Sequence, residues 1–372
     1  MTATTDETNK ILCKATDCDK TSSPLYVQSP VIKNNMDKIA LRVRPLDWLE
    51  CYNETLAASV GFDKRFDIPF RSFGPNLTIS LCYNHTDTDL EIIHSQMLDK
   101  EGISENEAFA QAIDNLFKEN VSESIIELKE GIFVSKARNL NDASLMLFKE
   151  WISELPIKGK PVAFIPHRDC LLITGSEDAE GLKDCISISF DEIQDQGGLT
   201  GYAYILNGQN TEKLEWGVLA LSEEHPCFSA YRKLNYLYKQ GNYDLIGEAL
   251  KKRFGEQIDV SALDLVEKDG QVYSITTWTQ AKHCFLPQAD FIVLLDKLRS
   301  PMLPEQGAGN VMLPFEIVNK ICKSIMTGTE GANKYYDAPS FPNSQQIKAL
   351  YEAYIELNEV AGVEVKIMVK RG

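Results

Sequence analysis

Ala163-Phe164-Ile165-Pro166-His167-Arg168-Asp169-Cys170-Leu171-Leu172 is an apolar run broken by Pro-x-x-Asp. Cys284-Phe285-Leu286-Pro287-Gln288-Ala289-Asp290-Phe291-Ile292-Val293-Leu294-Leu295 has the same form. Each is followed, 24 or 28 residues after its proline, by Phe, an acidic residue and a nearby Ile: Phe190-Asp191-x-Ile193 and Phe315-Glu316-Ile317. Short apolar runs of this kind read as buried strands. Their shared order predicts two related lobes, an internal duplication.

The flanking sequence supplies the other elements. Ile39 to Val43, Leu77 to Tyr83, Ile186 to Phe190, Tyr202 to Leu206, Leu214 to Leu221, Val272 to Trp278 and Val363 to Val369 read as strands, several of them alternating. Asn207-Gly208 and Asp269-Gly270 read as turns. Helices are expected at Trp48 to Val60, Ala143 to Leu155, Phe315 to Met326 and Ser344 to Val360, the last with Ile347, Leu350, Tyr351, Tyr354 and Ile355 on one side. Phe228 to Phe254 reads as two helical segments broken near Gly241. Ser104-Glu105-Asn106-Glu107 is a capping box ahead of a stripe of Ala108, Phe109, Ala112, Ile113, Leu116 and Phe117. Strands in succession favour antiparallel pairing. The expected fold is α+β: two lobes with largely antiparallel sheets and flanking helices, at residues 37–225 and 226–372, after a flexible polar leader at 1–36.

Composition narrows the function classes. The 372 residues carry 54 acidic and 38 basic side chains, a net charge of −16, which repels phosphate backbones and argues against nucleic acid. No apolar run reaches the roughly 20 residues that span a bilayer, and Met1 to Lys10 has no secretory core. A cytoplasmic location is expected, with no membrane partner. Nine irregularly spaced cysteines fit that compartment. Cys13 and Cys18 have no second pair of ligands at zinc spacing, and Cys170 and Cys284 are expected to be buried small hydrophobes. Neither a metal nor a cofactor is expected.

His167 and Asp169 are the foremost candidates for chemistry. Two residues apart on a strand they share a face, and a histidine with a carboxylate can act as a base and its orienter. The second run offers Asp290, with His283 just before it, but Gln288 stands where His167 does. Only proline and aspartate repeat. The structural reading is therefore preferred: the proline interrupts strand pairing and the aspartate bonds the freed backbone N–H groups. The Gly-x-Gly-x-x-Gly, P-loop and Gly-x-Ser-x-Gly motifs are absent.

Three segments carry a family resemblance: Gln96 to Glu101 with the capped helix to Leu116, Asp142-Ala143-Ser144 followed by Leu147, and Ile165 to Leu172 with Ile186 to Phe190 after it. On these, His94 to about Leu221 resembles the YtpQ-like proteins, an uncharacterised family of bacterial cytoplasmic proteins. The resemblance implies an α+β domain and a cytoplasmic site, and brings no activity, cofactor or catalytic residue. The leading expectation is thus a non-catalytic acidic binding protein, such as a bacterial immunity or adaptor protein, engaging a partner that is itself basic. The alternatives are a hydrolase or transferase using Asp169 with His167 or Asp290 with His283, and a structural subunit of a homo-oligomer.

Overall fold

A computed structural model describes residues 32–60, 67–86, 89–118, 121–136, 141–196, 198–208, 213–280, 283–295, 310–329 and 333–361. The strand expected at Val363 to Val369 and the pair Cys13 and Cys18 lie outside them. The protein is α+β, with mostly antiparallel sheets. It divides into two units after Gly241, within a helix, rather than at residue 225.

Residues 32–36, part of the expected flexible leader, belong to the described fold of the first unit. Ile32 is fully buried, and the N–H groups of Ile32 and Lys33 donate to the Glu101 carboxylate at 3.0 and 2.7 Å. Strand β1 (Ile39–Pro45) leads into α1 (Leu46–Val60), then β2 (Phe70–Gly74), β3 (Leu77–Thr86) and β4 (Asp89–Ile92). β3 is central, with antiparallel partners β1, β2 and β4. Period-two alternation sends Ile39, Leu41, Val43, Leu77 and Leu81 into one core. Helices α2 (Ser95–Glu101) and α3 (Glu105–Phe117) follow, and Ser104 Oγ accepts from the Glu107 N–H at 3.2 Å to cap α3. Ala108, Phe109, Ala112 and Leu116 reach that core, whereas Ile113 and Phe117 of the predicted stripe stay exposed.

After α4 (Val121–Ser124) come β5 (Ile125–Lys129) and β6 (Ile132–Ser135). The helix expected over Ala143 to Leu155 is instead a 3-10 segment, Asp142–Leu147, followed by the short α5 (Lys149–Ser153). Strands β7 (Pro161–His167), β8 (Cys170–Gly175), β9 (Ala203–Asn207) and β10 (Glu215–Val218) complete a six-stranded antiparallel sheet of order β10-β9-β7-β8-β6-β5.

The predicted strand at Ile186 to Phe190 lies inside α6 (Ala179–Gln196). Its Ile-Ser-Ile-Ser alternation is local. Leu182, Cys185, Ile186, Ser189 and Ile193 repeat at helical spacing, and all are buried. Asp178 Oδ1 accepts from the Gly181 N–H at 3.1 Å and fixes the start of the helix. Helix α7 (Phe228–Phe254) is continuous. Gly241 weakens it by about 1 kcal/mol relative to alanine without breaking it.

In the second unit the strands are β11 (Ile258–Val260), β12 (Asp264–Lys268), β13 (Gln271–Thr279), β14 (His283–Pro287), β15 (Phe291–Leu295) and β16 (Asn310–Pro314). Then come α8 (Phe315–Ile321), β17 (Thr327–Gly328), β18 (Tyr335–Ala338) and α9 (Ser344–Ala361). Helix α8 ends before the expected Met326, and Ile355 of α9 is exposed. The Asp269-Gly270 turn joins β12 to β13 as the sequence predicts, both residues at positive φ (51° and 74°). Two sheets form, β11-β14-β18-β17 and β12-β13-β15-β16, in which β11 with β14 and β13 with β15 are parallel pairs.

This topology overturns the internal duplication. In the first run, β7 and β8 pair with each other as a hairpin. In the second, β14 and β15 belong to different sheets. Phe190 is within α6, whereas Phe315 starts α8. The shared apolar pattern records burial of both runs, with no common topology behind it.

Candidate functional site

Arg168 and Asp169 form the turn of the β7–β8 hairpin, where His167 is register partner to Cys170. The register shifts between Phe164 and His167, and this irregularity accommodates Pro166, which has no N–H to give a regular ladder. The Leu199 N–H instead donates to the Pro166 carbonyl at 2.7 Å. His167 is buried, and its Nδ1 accepts from the Asp169 backbone N–H at 3.3 Å. Burial pulls the imidazole down to about 4, against the opposing pull of the Asp169 charge, so the ring is neutral near pH 7. The Asp169 carboxylate does not bond the freed backbone as expected. Its Oδ2 lies 3.9 Å from Arg168 Nε, and its buried Oδ1 has no hydrogen-bond partner among the described residues. The two candidates meet through a backbone amide, not through a carboxylate on the ring.

Asp290 does what the structural reading required. Its Oδ2 accepts from the Ser274 N–H at 2.8 Å and the Ser274 hydroxyl at 3.0 Å, and its carbonyl accepts from the Phe315 N–H at 2.9 Å. The expected partner of His283 is replaced: His283 Nε2 bonds Asp337 Oδ1, not Asp290. Asp337 lies on β18, 54 residues away, and only the β14–β18 pairing brings it there. His283 stacks on Phe285 at 5.0 Å, and Phe285 on Phe254 at 5.5 Å. Cys170 and Cys284 are buried as predicted. Among the described residues no group of three or more His, Cys, Asp or Glu is placed to hold a metal ion.

A feature the sequence reading passed over is the outer edge of the six-stranded sheet. Among the described residues β5 pairs only with β6, while Ile126 and Leu128 are 42% and 54% exposed. The Lys136 N–H donates to the Ser124 carbonyl at 2.9 Å. Antiparallel bonds recur at every second residue, so the inward bonds fall at Ser124 and Ile126, and the backbone groups of Ile125 and Glu127 face away from β6. Glu127 and Glu130 are exposed along this edge, and Lys129 is paired with Asp184. Ile125-Ile126-Glu127-Leu128-Lys129-Glu130-Gly131, a β-prone stretch closed by a turn glycine, was the available signal.

Elsewhere in this unit a shallow groove of about 580 Å³ is lined by Phe73, Trp216, Lys149, Lys213 and Glu215. Its Lys149 donates to the Leu214 carbonyl at 3.2 Å and lies over the Phe73 ring, so that ammonium is already engaged.

No family model, no curated protein and no solved structure matches the chain.

Proposed function

We propose that the protein is a non-catalytic binding protein of the bacterial cytoplasm, an adaptor or immunity protein. It takes a basic, extended segment of a protein partner as an additional strand on the β5 edge. The observation that carries this reading is an open strand that is apolar and acidic at once. Its outward backbone groups can hydrogen-bond an added strand, and exposed Ile126 and Leu128 offer apolar contact. Proteins ordinarily blunt such edges with lysine or proline. Here Lys129 is matched by Asp184, and Glu127 and Glu130 leave the edge negative, in keeping with the net charge of −16. The resemblance of His94 to Leu221 to the YtpQ-like proteins agrees with a cytoplasmic site and adds no chemistry.

The test is capture by the full chain at low and raised salt, comparing wild type with Ile126→Lys and Leu128→Lys. A basic partner is expected, released by salt and lost in both variants, with slowed exchange of the Ile125 and Glu127 amides in the complex. Acidic partners only, or capture unaffected by either variant, would sink the reading. Light scattering that gives a stable homo-oligomer dispersed by the same variants would show that a second copy occupies the edge.

A further inference from the structure

Lys129 is the last residue of β5, and its register partner on β6 is Ile132. Cross-strand partners share a face, and Ile132 is buried in one cluster with Leu182, Cys185 and Ile186 of α6. Lys129 therefore stands on the face of the sheet that α6 covers. Its ammonium is paired with the Asp184 carboxylate of α6, 55 residues further along the chain. Helix α6 packs on β7 and β8, inner strands of the sheet, whereas β5 pairs only with β6 among the described residues. The pair thus draws the ammonium inward, away from the open edge. The backbone beneath it is anchored separately. The Thr174 hydroxyl of β8 donates to the Gly131 carbonyl at 3.1 Å, and Glu127 Oε1 accepts from the Gly131 N–H at 3.2 Å. What Asp184 holds is the lysine side chain, not the strand.

A lysine on a strand edge ordinarily blocks strand addition, because an arriving strand would have to strip water from the ammonium. Its long stem can reach across neighbouring backbone while the charge stays hydrated. Pairing with Asp184 removes both obstacles: the charge is offset and the stem is laid toward the helix. Released from Asp184, the same lysine would stand beside the outward backbone groups of Glu127, two residues back, and repel a basic strand. Both side chains keep contact with water, at 54% and 37% exposure, so the pair can open without disturbing the core.

We propose that Asp184 is a positioning residue for the β5 edge: by holding Lys129 against α6 it keeps the edge open to a basic extended segment, and loosening this latch closes it. The proposal rests on the edge-binding reading above and adds its regulation.

The probe is a blocked, fluorescein-labelled heptapeptide of alternating lysine and valine, titrated with the full chain while its fluorescence anisotropy is followed. Wild type is expected to bind it. Asp184→Asn is expected to bind about fivefold more weakly, the span of an exposed ion pair. Adding Lys129→Met to Asp184→Asn is expected to restore wild-type affinity. Glu180 lies one turn before Asp184 on α6 and faces Lys183 rather than Lys129. Glu180→Gln removes the same charge and should stay within about twofold of wild type. Equal weakening by Asp184→Asn and Glu180→Gln would reduce the effect to general attraction and overturn the latch. So would an Asp184→Asn protein that binds like wild type, or a double variant that stays weak. If Ile126→Lys abolishes binding in any of those cases, the edge reading stands while the latch falls. A wild type that does not bind the peptide, or an Ile126→Lys protein that binds it as tightly as wild type, overturns the edge reading and the latch with it.

Discussion

The Tyr238 hydroxyl donates to Asp47 Oδ1 at 2.8 Å, joining α7 to the start of α1 across 191 residues of sequence. Asp47 is buried, and its desolvation outweighs this bond and the Trp48 N–H, lifting the carboxyl to about 6. A hydrogen bond to a charged, buried acceptor contributes about 2 kcal/mol. Tyr238→Phe should therefore lose about that much at pH 8 and clearly less at pH 5, where Asp47 is protonated. Urea denaturation at the two pH values reads the difference, and equal losses at both would contradict it.

Asp47 also predicts a pH slope. Its folded value of about 6 exceeds the ordinary 3.8, so the folded chain holds this proton more tightly than the unfolded one. The associated stability is fully present below about pH 4 and is lost as pH rises through about 6, a total of about 3 kcal/mol. Asp47→Asn has no proton to lose. The variant should forfeit that component of the slope between pH 4 and 7, and unchanged slopes in the two proteins would refute the assignment.

The two Pro-x-x-Asp aspartates should behave differently. Asp290→Ala strips two donors on Ser274 of their acceptor and should cost about 2–3 kcal/mol. The Asp169 carboxylate has one distant ion pair with Arg168 and a buried oxygen without a partner among the described residues, so Asp169→Ala should shift stability by no more than about 0.5 kcal/mol. Thermal or chemical denaturation ranks them, and comparable losses would show that the aspartates are equivalent after all.

Two glycines give opposite predictions. A Cβ on Gly175 would drive into the Lys158 backbone carbonyl, and Gly175→Ala should destabilise by about 3 kcal/mol or more. A Cβ on Gly241 meets nothing within 4 Å, and Gly241→Ala should stabilise α7 by about 0.5–1 kcal/mol. A gain at Gly175 or a loss at Gly241 would contradict the packing described.

What the sequence determined by itself was local. The capped start of α3 at Ser104, the Asp269-Gly270 turn, the inward alternation of Ile39, Leu41 and Val43, and the burial of Cys170 and Cys284 follow from hydrogen bonds and solvation within a few residues. The α+β class follows from the succession of such signals. Tertiary structure decided the rest, because strand pairing and side-chain partnership depend on what arrives from far along the chain. Ile186 to Phe190 alternates like a strand, yet the wider spacing of Leu182, Cys185, Ser189 and Ile193 lets one helical face bury more apolar surface. Two similarly patterned apolar runs became a hairpin in one unit and strands of separate sheets in the other, since burial constrains composition and leaves the partner open. His283 received Asp337 instead of Asp290, and buried Arg42 came to donate its Nε to Cys82 Sγ, 40 residues away. Pairings at such separations leave no periodic trace in the chain, and they set the surfaces and charges on which the proposed binding rests.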